Sequence, residues 1–549
     1  MNERQAPELK DDYYIDNFHT ITDFVADTYH DLLTRSEQQW LDMIRGASKA
    51  AQRLYIRLLT RRGSTFRLSR LSYAEIEDIE SAAAELTEHD LASGQPPLDV
   101  AILLGCFTKP EIIDLLGLHD LRKLCRVNLT EHLTNCDHAL QNRYWQVLKA
   151  SDQWITLEGH KHWMLMQLCF FGNLYQDSSE LVLRQLGTLR YEDYPLDCAC
   201  RAFTSREQID AHWRYFECET LYECTDQGNA TELSRLADSL PKPCANDVNL
   251  RRRLDRIRNR IARQLERLSR VEEATTLYKA SVHPPARERR VRILMAKQQW
   301  PHALTLARQM CDEAYNESER LTGLTLFARC QQALDIAHIK TRPFKPATTR
   351  LVLRSDGSRV EELARRFYAN TGACFHTENT LINGVLGLFI WDIMFHPVPG
   401  VFFNPFQMAP ADFNEPEFCA RRADLFARRF AELDDQDSLR ARVLESFEQH
   451  AGKQNPLVRW QRLSPDMLVL ALDRIPRDHW RALFERILAD TRENSTGLPD
   501  LVLFPRAGGY EFIEIKGPGD ALQANQRRWM QYFDQNNIAC RLVHVRYRL

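Results

Sequence analysis

The segment at residues 497–520, GLPDLVLFPRAGGYEFIEIKGPGD, constrains the fold of this chain more than any other. LVLFP has the apolar character of a short buried strand, and EFIEIK alternates with the period of two expected of a second strand. Between them, Gly508 and Gly509 can adopt the positive φ that a tight turn requires. The segment therefore predicts an antiparallel hairpin.

The polar residues of this hairpin are predicted to gather at one end of it. With the turn centred near Gly508, Asp500 lies opposite Lys516. The same register places Val502 opposite Glu514. Glu514 and Lys516 share one face, because alternate side chains of a strand point the same way. Two buried carboxylates repel each other unless a cation compensates them, and oxygen ligands favour Mg²⁺ or Mn²⁺.

Gly-Leu-Pro-Asp followed, after thirteen residues, by Glu-Ile-Lys is the signature of the PD-(D/E)xK nucleases. In such a site, Asp500 and Glu514 bind a metal ion that polarises a phosphate and activates water. Lys516 positions or deprotonates that water and neutralises charge developing on the phosphorane. The main-chain carbonyl of Ile515 is a further candidate ligand. The alternative is an exposed aspartate and a surface Glu-x-Lys pair, which the apolar surroundings disfavour.

The residues after the hairpin predict one more helix and one more strand. KGPGDALQANQRRWMQYF opens a helix after its glycines, with Asp520 as the N-cap. Gln526 falls on this helix, which is expected to pack beside the site, and is a candidate DNA contact. RLVHVRY then predicts the final strand.

The rest of the chain is helical in pattern, with apolar residues at intervals of three and four. STFRLSRLSY (64–73) predicts a strand or wing, and residues 73–92 predict a helix pair. Together with the preceding helix they favour a winged-helix region, with an irregular helical bundle as the alternative. Residues 155–340 resemble degenerate tetratricopeptide units, which bind partners or serve as a plain spacer. KTRPFKPATTR (340–350) is predicted to be the linker into the last domain.

An arginine-rich helix is predicted at residues 250–270. It carries nine arginines against two acidic residues, and its leucines and isoleucines form one apolar stripe. Such a run is usually a solvated face. The excess of arginine, together with a second basic cluster at 284–292, favours binding to a phosphate backbone.

The overall charge and composition exclude several classes of protein. There are 72 basic and 75 acidic residues, so the chain is not a wholly basic DNA-coating protein. Hydrophobic residues make up 44% of the chain, enough for a large core. No apolar stretch is long enough for a transmembrane helix, and the polar N-terminus is not a secretory signal. The 14 cysteines contain no CxxC pair, and we expect a cytoplasmic protein without a zinc ribbon.

GLPDLVLF, FIEIKGPGD and the helix with Gln526 and Trp529 resemble the virus-type replication-repair nuclease domain. Upstream, residues 53–92, ILLGCFTKPEIIDLLGL and FHTENTLINGVLGLFIWDIMF are similar to the Fanconi-associated nuclease family, which this chain resembles as a bacterial member. The resemblance implies a mainly α multidomain fold ending in an α/β restriction-endonuclease-like domain. The implied domains are an N-terminal winged-helix-like region (1–92), a SAP-like DNA-binding module (93–154), a tetratricopeptide-like α-solenoid (155–345) and the nuclease (346–549).

The resemblance also implies an activity. Members of this family cut branched double-stranded DNA near 5′ flaps, advance as 5′-to-3′ exonucleases and help to unhook interstrand crosslinks. Glu378 matches the family's metal-ligand position on a helix, whereas nearby His376 is expected to be structural. The family's basic pocket for a 5′-terminal phosphate falls in the region of four arginines: Arg251, Arg252, Arg287 and Arg290. The ubiquitin-binding zinc finger of animal members is expected to be absent, and protein partners are not predicted.

Two other functions remain open from the sequence. A Holliday-junction resolvase would use the same chemistry, but the long N-terminal region disfavours it. A helical-repeat repair scaffold with weak nuclease activity would tolerate loss of a site residue, whereas the Asp–Glu–Lys set is complete.

Overall fold

The computed structural model of the chain describes residues 12–176, 189–243, 247–336 and 344–548. The chain divides into two compact units, one formed by Met1–Thr188 and Ala202–Ile209, the other by Leu189–Arg201 and Asp210–Leu549. The finer division into four domains stays a prediction. Within the described ranges, no helix has the length and apolar character needed to cross a membrane.

The first unit is helical with one small antiparallel sheet, whose strand order is β1-β3-β2. Its strands are β1 (Thr65–Arg67), β2 (Ala92–Ser93) and β3 (Trp154–Leu157). Its helices are α1 (Tyr13–Tyr29), α2 (Arg35–Gly46), α3 (Lys49–Leu59), α4 (Ile79–Glu88), α5 (Val100–Gly105), α6 (Lys109–Leu116), α7 (Arg126–Thr134), α8 (His138–Ala150) and α9 (His160–Phe171).

The N-terminal part of this unit confirms the predicted strand after α3, because Thr65–Arg67 pairs with β3. The predicted helix pair over residues 73–92 is wrong, since only α4 forms there. The side chain of Asp78 accepts a hydrogen bond from Ser81 N (2.9 Å), and this cap sets the start of the helix. Residues before the cap therefore stay outside the helix.

Helices α5 to α8 enclose a core of their own. Its fully buried residues include Leu103, Leu104, Ile112, Leu129 and Leu148. Helix α6 begins with a capping box between Thr108 and Glu111 and ends at Gly117, whose φ is +69°. Caps at both ends explain how a helix as short as α6 is held in place.

Residues 206–333 form a run of helices, and from residue 230 onward each helix packs on the next. They are α10 (Arg206–Cys224), α11 (Ala230–Ser239), α12 (Val248–Arg267), α13 (Val271–Lys279), α14 (Ala286–Ala296), α15 (Trp300–Asp312) and α16 (Glu317–Ala333). The predicted arginine-rich helix is α12, and its apolar stripe is buried as expected at five positions: Leu250, Leu254, Ile257, Ile261 and Leu265.

The C-terminal part of the second unit contains a five-stranded sheet of order β4-β8-β7-β6-β5. Its strands are β4 (Thr348–Arg354), β5 (Gly372–His376), β6 (Leu501–Pro505), β7 (Glu511–Lys516) and β8 (Cys540–Arg548). Strands β4 and β7 run parallel to β8, whereas β6 is antiparallel to both of its neighbours. Of the predicted linker at 340–350, residues 340–343 lie outside the described ranges, and Thr348 already belongs to β4.

Helices cover both faces of this sheet. They are α17 (Val360–Tyr368), α18 (Leu381–Phe389), α19 (Trp391–Met394), α20 (Glu417–Ala420), α21 (Ala423–Ala431), α22 (Gln436–Gln449), α23 (Pro465–Arg474), α24 (Arg477–Ala489), α25 (Thr491–Asn494) and α26 (Ala524–Gln535). One face packs Leu501 and Ile513 with Ala364 of α17. The other packs Val502 and Phe512 into the larger core formed with the remaining helices. Burial on both faces explains why β6 is apolar without alternation.

Candidate metal centre

The hairpin of β6 and β7 positions the acidic motif. Leu501 pairs with Ile513, so Asp500, one residue before β6, falls opposite Glu514. The predicted pairing of Asp500 with Lys516 is therefore wrong by two residues. The turn closes earlier than expected, because Gly508 N donates to the carbonyl of Pro505 (3.0 Å).

This shift leaves every side chain on its predicted face, because it is an even number of residues. Gly508 and Gly509 have the predicted positive φ values, +104° and +74°. The predicted turn at the two glycines is therefore confirmed, and only the pairing register of the strands differs from the prediction.

The three motif residues are held together at the end of the hairpin. Ile515 N donates a hydrogen bond to Oδ2 of Asp500 (2.8 Å). Nζ of Lys516 lies 2.7 Å from Oε1 of Glu514, and these two side chains are buried. Within the described residues, neither carboxylate oxygen of Glu514 accepts a hydrogen bond of good geometry. A buried carboxylate with unused acceptor capacity is a group that a cation can satisfy.

The pKa values of the two carboxyls reflect this environment. Burial raises the pKa of Asp500, against the Ile515 N–H and the charge of Lys516, and the charges of Glu361 and Glu378 raise it further. Burial also raises the pKa of Glu514, and the charge of Asp500 adds to the effect against that of Lys516. Like charges thus accumulate at one point with a single buried lysine to offset them.

Glu378 lies in a turn and not on the predicted helix. Helix α18 begins three residues later, at Leu381. Asn379 has a φ of +55°, a left-handed conformation that a helix excludes. Thr377 N and Glu378 N both donate to the carbonyl of Asp500, at 2.8 and 3.3 Å. The turn thereby binds Glu378 directly to the start of the hairpin.

Asn379 is a residue that the sequence reasoning missed. Its Oδ1 accepts a hydrogen bond from Leu498 N (3.0 Å), and its carbonyl accepts one from Asn383 Nδ2 (2.8 Å). The local signal was present, since asparagine is enriched among residues with positive φ. Asn379 connects the turn that carries Glu378 with the Gly-Leu-Pro-Asp segment.

Glu378 and Asp500 line one cavity of about 710 Å³. Glu361, in the first turn of α17, lines it too and was also missed from sequence. His376, expected to be structural, also lines this cavity. Within the described ranges, no three His, Cys, Asp or Glu side chains are already arranged to bind a metal ion. The donors nevertheless fit a hard dication, because they are carboxylate oxygens and those of Glu514 have unmet acceptor capacity.

Gln526 serves the helix on which it lies. Its Oε1 accepts a hydrogen bond from Gln523 N (3.0 Å) in a capping box. The N-cap of α26 is therefore Gln523, and the predicted cap at Asp520 is wrong. Oδ2 of Asp520 instead accepts from Gly517 N (3.0 Å) and closes the loop after β7. A role for Gln526 in DNA contact stays a prediction.

The arginines predicted to bind phosphate have different surroundings. Arg252 is buried and lies 3.3 Å from Glu415. Arg287 lies 2.6 Å from Glu319. Arg290 is half-buried and lines, with Arg287 and Lys279, a cavity of about 500 Å³. Arg251 is exposed on α12.

Much of the arginine excess on α12 is offset inside the protein. Arg256 pairs with Glu415 (2.9 Å), and Arg260 pairs with Glu219 and Glu223. Helix α10 and the chain around Glu415 supply these acids, which lie far from α12 in sequence. A count of charges within one helix therefore overstates the charge left for a ligand.

Two family models match the chain: "VRR-NUC domain" over residues 434–547 and "FAN1, HTH domain" over residues 12–93. The Fanconi-associated nuclease 1 homolog of Pseudomonas aeruginosa is 34% identical, over 98% of this chain and 96% of its own length. The Fanconi-associated nuclease 1 homolog of Oryza sativa subsp. japonica is 26% identical, over 94% of this chain and 61% of its own length.

Two crystal structures of paFAN1 resemble the fold. One, bound to DNA with a gap and a 5′ flap of 2 nucleotides, superposes with a TM-score of 0.81 at 32% identity, over 99% of this chain and 100% of the other. The second, bound to gapped DNA with a 5′ flap of 1 nucleotide, superposes with a TM-score of 0.79 over 98% of this chain. The similarity thus extends over nearly the full length of both chains.

Proposed function

This chain belongs to the Fanconi-associated nuclease family and is a metal-dependent DNA nuclease, and we propose that it acts on 5′ flaps of branched duplex DNA through the centre formed around Asp500. One observation carries the assignment of the site. Glu378 and Asp500 line the same cavity, beside the buried pair of Glu514 and Lys516.

Four groups are proposed to hold the metal: the carboxylates of Glu378, Asp500 and Glu514, and the main-chain carbonyl of Ile515. When bound, Mg²⁺ or Mn²⁺ would polarise the scissile phosphate and lower the pKa of the attacking water. Asp500 is oriented for this role by the hydrogen bond from Ile515 N. Glu378 is oriented by the two hydrogen bonds that its turn donates to the Asp500 carbonyl.

Lys516 is proposed to act on the attacking water and on the charge that develops at phosphorus. Its ammonium lies beside Glu514, on the strand face that also carries the metal ligands. From that position it can donate hydrogen bonds to the water or to a phosphate oxygen. In-line attack with departure of the 3′ oxygen leaves a 5′-phosphate on the product.

The substrate preference is proposed from the relatives. The paFAN1 structures hold DNA with 5′ flaps, and this chain is expected to bind such DNA and to degrade it further as a 5′-to-3′ exonuclease. Arg290, which lines a cavity with Arg287 and Lys279, is the favoured candidate for a 5′-phosphate contact, since carboxylates already engage Arg252 and Arg287. Interstrand crosslink repair, at the nucleoid within the cytoplasm, is the proposed setting.

A denaturing-gel cleavage assay tests these proposals. End-labelled 5′ flap, 3′ flap, four-way junction and plain duplex are incubated with Mn²⁺, Mg²⁺ or EDTA. Metal-dependent cutting that prefers the 5′ flap and disappears in Asp500→Ala is the expected result. Cutting confined to the four-way junction would replace the flap proposal with a resolvase, and an inert folded protein would favour a repair scaffold.

A further inference from the structure

The lining of the cavity at Asp500 includes one cationic and one aromatic side chain that the proposed cleavage site does not use. Arg359 and Tyr547 line it together with Gly517 and Pro518. Arg359 directly precedes α17, and Tyr547 lies near the end of β8. Strand β8 pairs with β7, and Lys516 lies opposite His544, three residues before Tyr547.

Arg359 does not stabilise the fold through its charge. Its side chain is exposed, and within the described ranges it makes no ion pair or hydrogen bond. The arginines that follow on α17 differ in this respect. Arg365 lies 2.7 Å from Glu362, and Arg366 lies 2.9 Å from Asp356. The guanidinium of Arg359 therefore keeps its full donor fork for an anionic ligand.

Tyr547 presents an aromatic ring on the rim of the same cavity. It is 41% exposed, and no other aromatic ring of the described residues packs against it. Its main chain pairs with Leu353 of β4, which fixes the backbone that carries the ring. An exposed ring held on a strand is a surface on which an unpaired base can stack.

The cavity is larger than one phosphate requires. Its volume of about 710 Å³ lies in the range of sites that enclose whole small molecules. A phosphodiester bound at Asp500 brings its neighbouring nucleotide with it, since the strand is continuous. That nucleotide carries one more phosphate charge and one base, and the lining of the cavity offers the cation of Arg359 and the ring of Tyr547.

We infer that Arg359 and Tyr547 form a nucleotide subsite that binds the strand next to the scissile bond. The guanidinium of Arg359 binds the adjacent phosphate, and the ring of Tyr547 stacks on an unpaired base. The inference rests on the proposed cleavage site at Asp500. It assigns to the catalytic domain itself a preference for DNA with an unpaired nucleotide at the cut.

The first test is DNA binding in the Asp500→Ala background, measured by fluorescence anisotropy with labelled 5′ flap DNA from 50 to 200 mM salt. Arg359→Ala is expected to weaken binding about 10-fold and to reduce the slope of log K against log salt by about 1. Arg354→Ala is the matched control, an exposed arginine on β4 that does not line the cavity. Its slope is expected to stay unchanged.

The second test reads stacking directly. 2-Aminopurine is placed in turn at each position around the flap junction, and its fluorescence is recorded on binding. Quenching at one position is expected with Tyr547 and with Tyr547→Phe, which keeps the ring, and is expected to be lost in Tyr547→Ala. Affinity should fall roughly 5- to 100-fold in the alanine variant.

The outcomes separate this inference from the proposed function. If Arg359→Ala and Tyr547→Ala bind within twofold of the background, with the same slope and the same quenching, there is no subsite. Cutting by Asp500→Ala would instead refute the site assignment, whatever the binding data show. A change in melting temperature without any change in slope or quenching would make both residues structural and would overturn the inference.

Discussion

The main-chain N–H of Ile515 donates a 2.8 Å hydrogen bond to Oδ2 of Asp500. In a strand, the N–H and C=O of one residue point to the same side. The carbonyl of Ile515 therefore also faces the stretch before β6 where Asp500 lies. One residue of β7 thus orients the carboxylate and presents its own carbonyl on the same side, which supports the proposed ligand set drawn from both strands of the hairpin.

Asp500→Asn should separate charge from shape. The amide oxygen of the new asparagine can still accept the hydrogen bond from Ile515 N–H, so the hairpin is expected to stay intact. Cleavage should fall by at least about 100-fold. In metal-free buffer the melting temperature should stay equal or rise, because a buried negative charge is removed. Mn²⁺ should raise the melting temperature of the wild type but not of the variant.

Asp534→Asn is the matched control, an exposed aspartate on α26. It is expected to cut and to respond to Mn²⁺ like the wild type. Equal stabilisation of Asp500→Asn and the wild type by Mn²⁺ would contradict a metal role for Asp500.

Lys516→Met should destabilise the fold as well as abolish cleavage. It leaves Glu514, which is 1% exposed, without its cationic neighbour. A loss of roughly 1–3 kcal/mol is expected from urea unfolding, because the raised pKa of Glu514 lets the unpaired carboxyl take up a proton. Lys516→Met combined with Glu514→Gln should recover part of that loss. If the losses in free energy of unfolding of the two single variants simply add in the double variant, the two side chains do not interact.

Asn379→Ala should loosen the turn that carries Glu378. The alanine strains a backbone with φ of +55° and removes the acceptor for Leu498 N. Together these effects should cost about 2 kcal/mol and reduce cleavage. Asn379→Gly relieves the backbone strain but does not restore the hydrogen bond. Its melting temperature should therefore lie between those of the wild type and Asn379→Ala. A glycine variant less stable than the alanine variant would refute the role of the left-handed conformation.

The first unit should lose stability in acid through Glu111. Burial opposes its ionisation, but the Thr108 N–H and the guanidinium of Arg67 outweigh it and lower the pKa from 4.5 to about 2. A carboxyl with a depressed folded-state pKa stabilises the fold above pH 4.5, and this contribution is lost as the pH falls toward 2.

Glu111→Gln should therefore melt roughly 2–4 °C lower than the wild type at pH 6, with the difference shrinking between pH 4.5 and 2. Differential scanning calorimetry across that range is the measurement. A difference that stays constant with pH would mean that packing, and not ionisation, explains the effect.

Local patterns predicted the hairpin correctly, because its strands and its paired glycines carry their own conformational preferences. The register was wrong by two residues, since the closure of the turn at Pro505 depends on a hydrogen bond that spacing alone does not specify. The prediction that Glu378 lies on a helix was also wrong, because spacing alone does not reveal the tertiary contact that holds the turn before the helix. A tertiary contact with Leu498 holds Asn379 in a left-handed turn at that point.

The sequence by itself determined the two strands of the hairpin, the apolar stripe of α12 and the Glu-x-Lys face of β7, because periodicity and turn chemistry act over a few neighbouring residues. Only the tertiary structure decided which acids share a cavity and which arginines form ion pairs with acids elsewhere in the protein. Glu361, Glu378 and Asp500 line one cavity, although they come from separate parts of the chain. The acids that neutralise Arg252 and Arg260 lie on distant segments, and pairing across such distances depends on the whole fold.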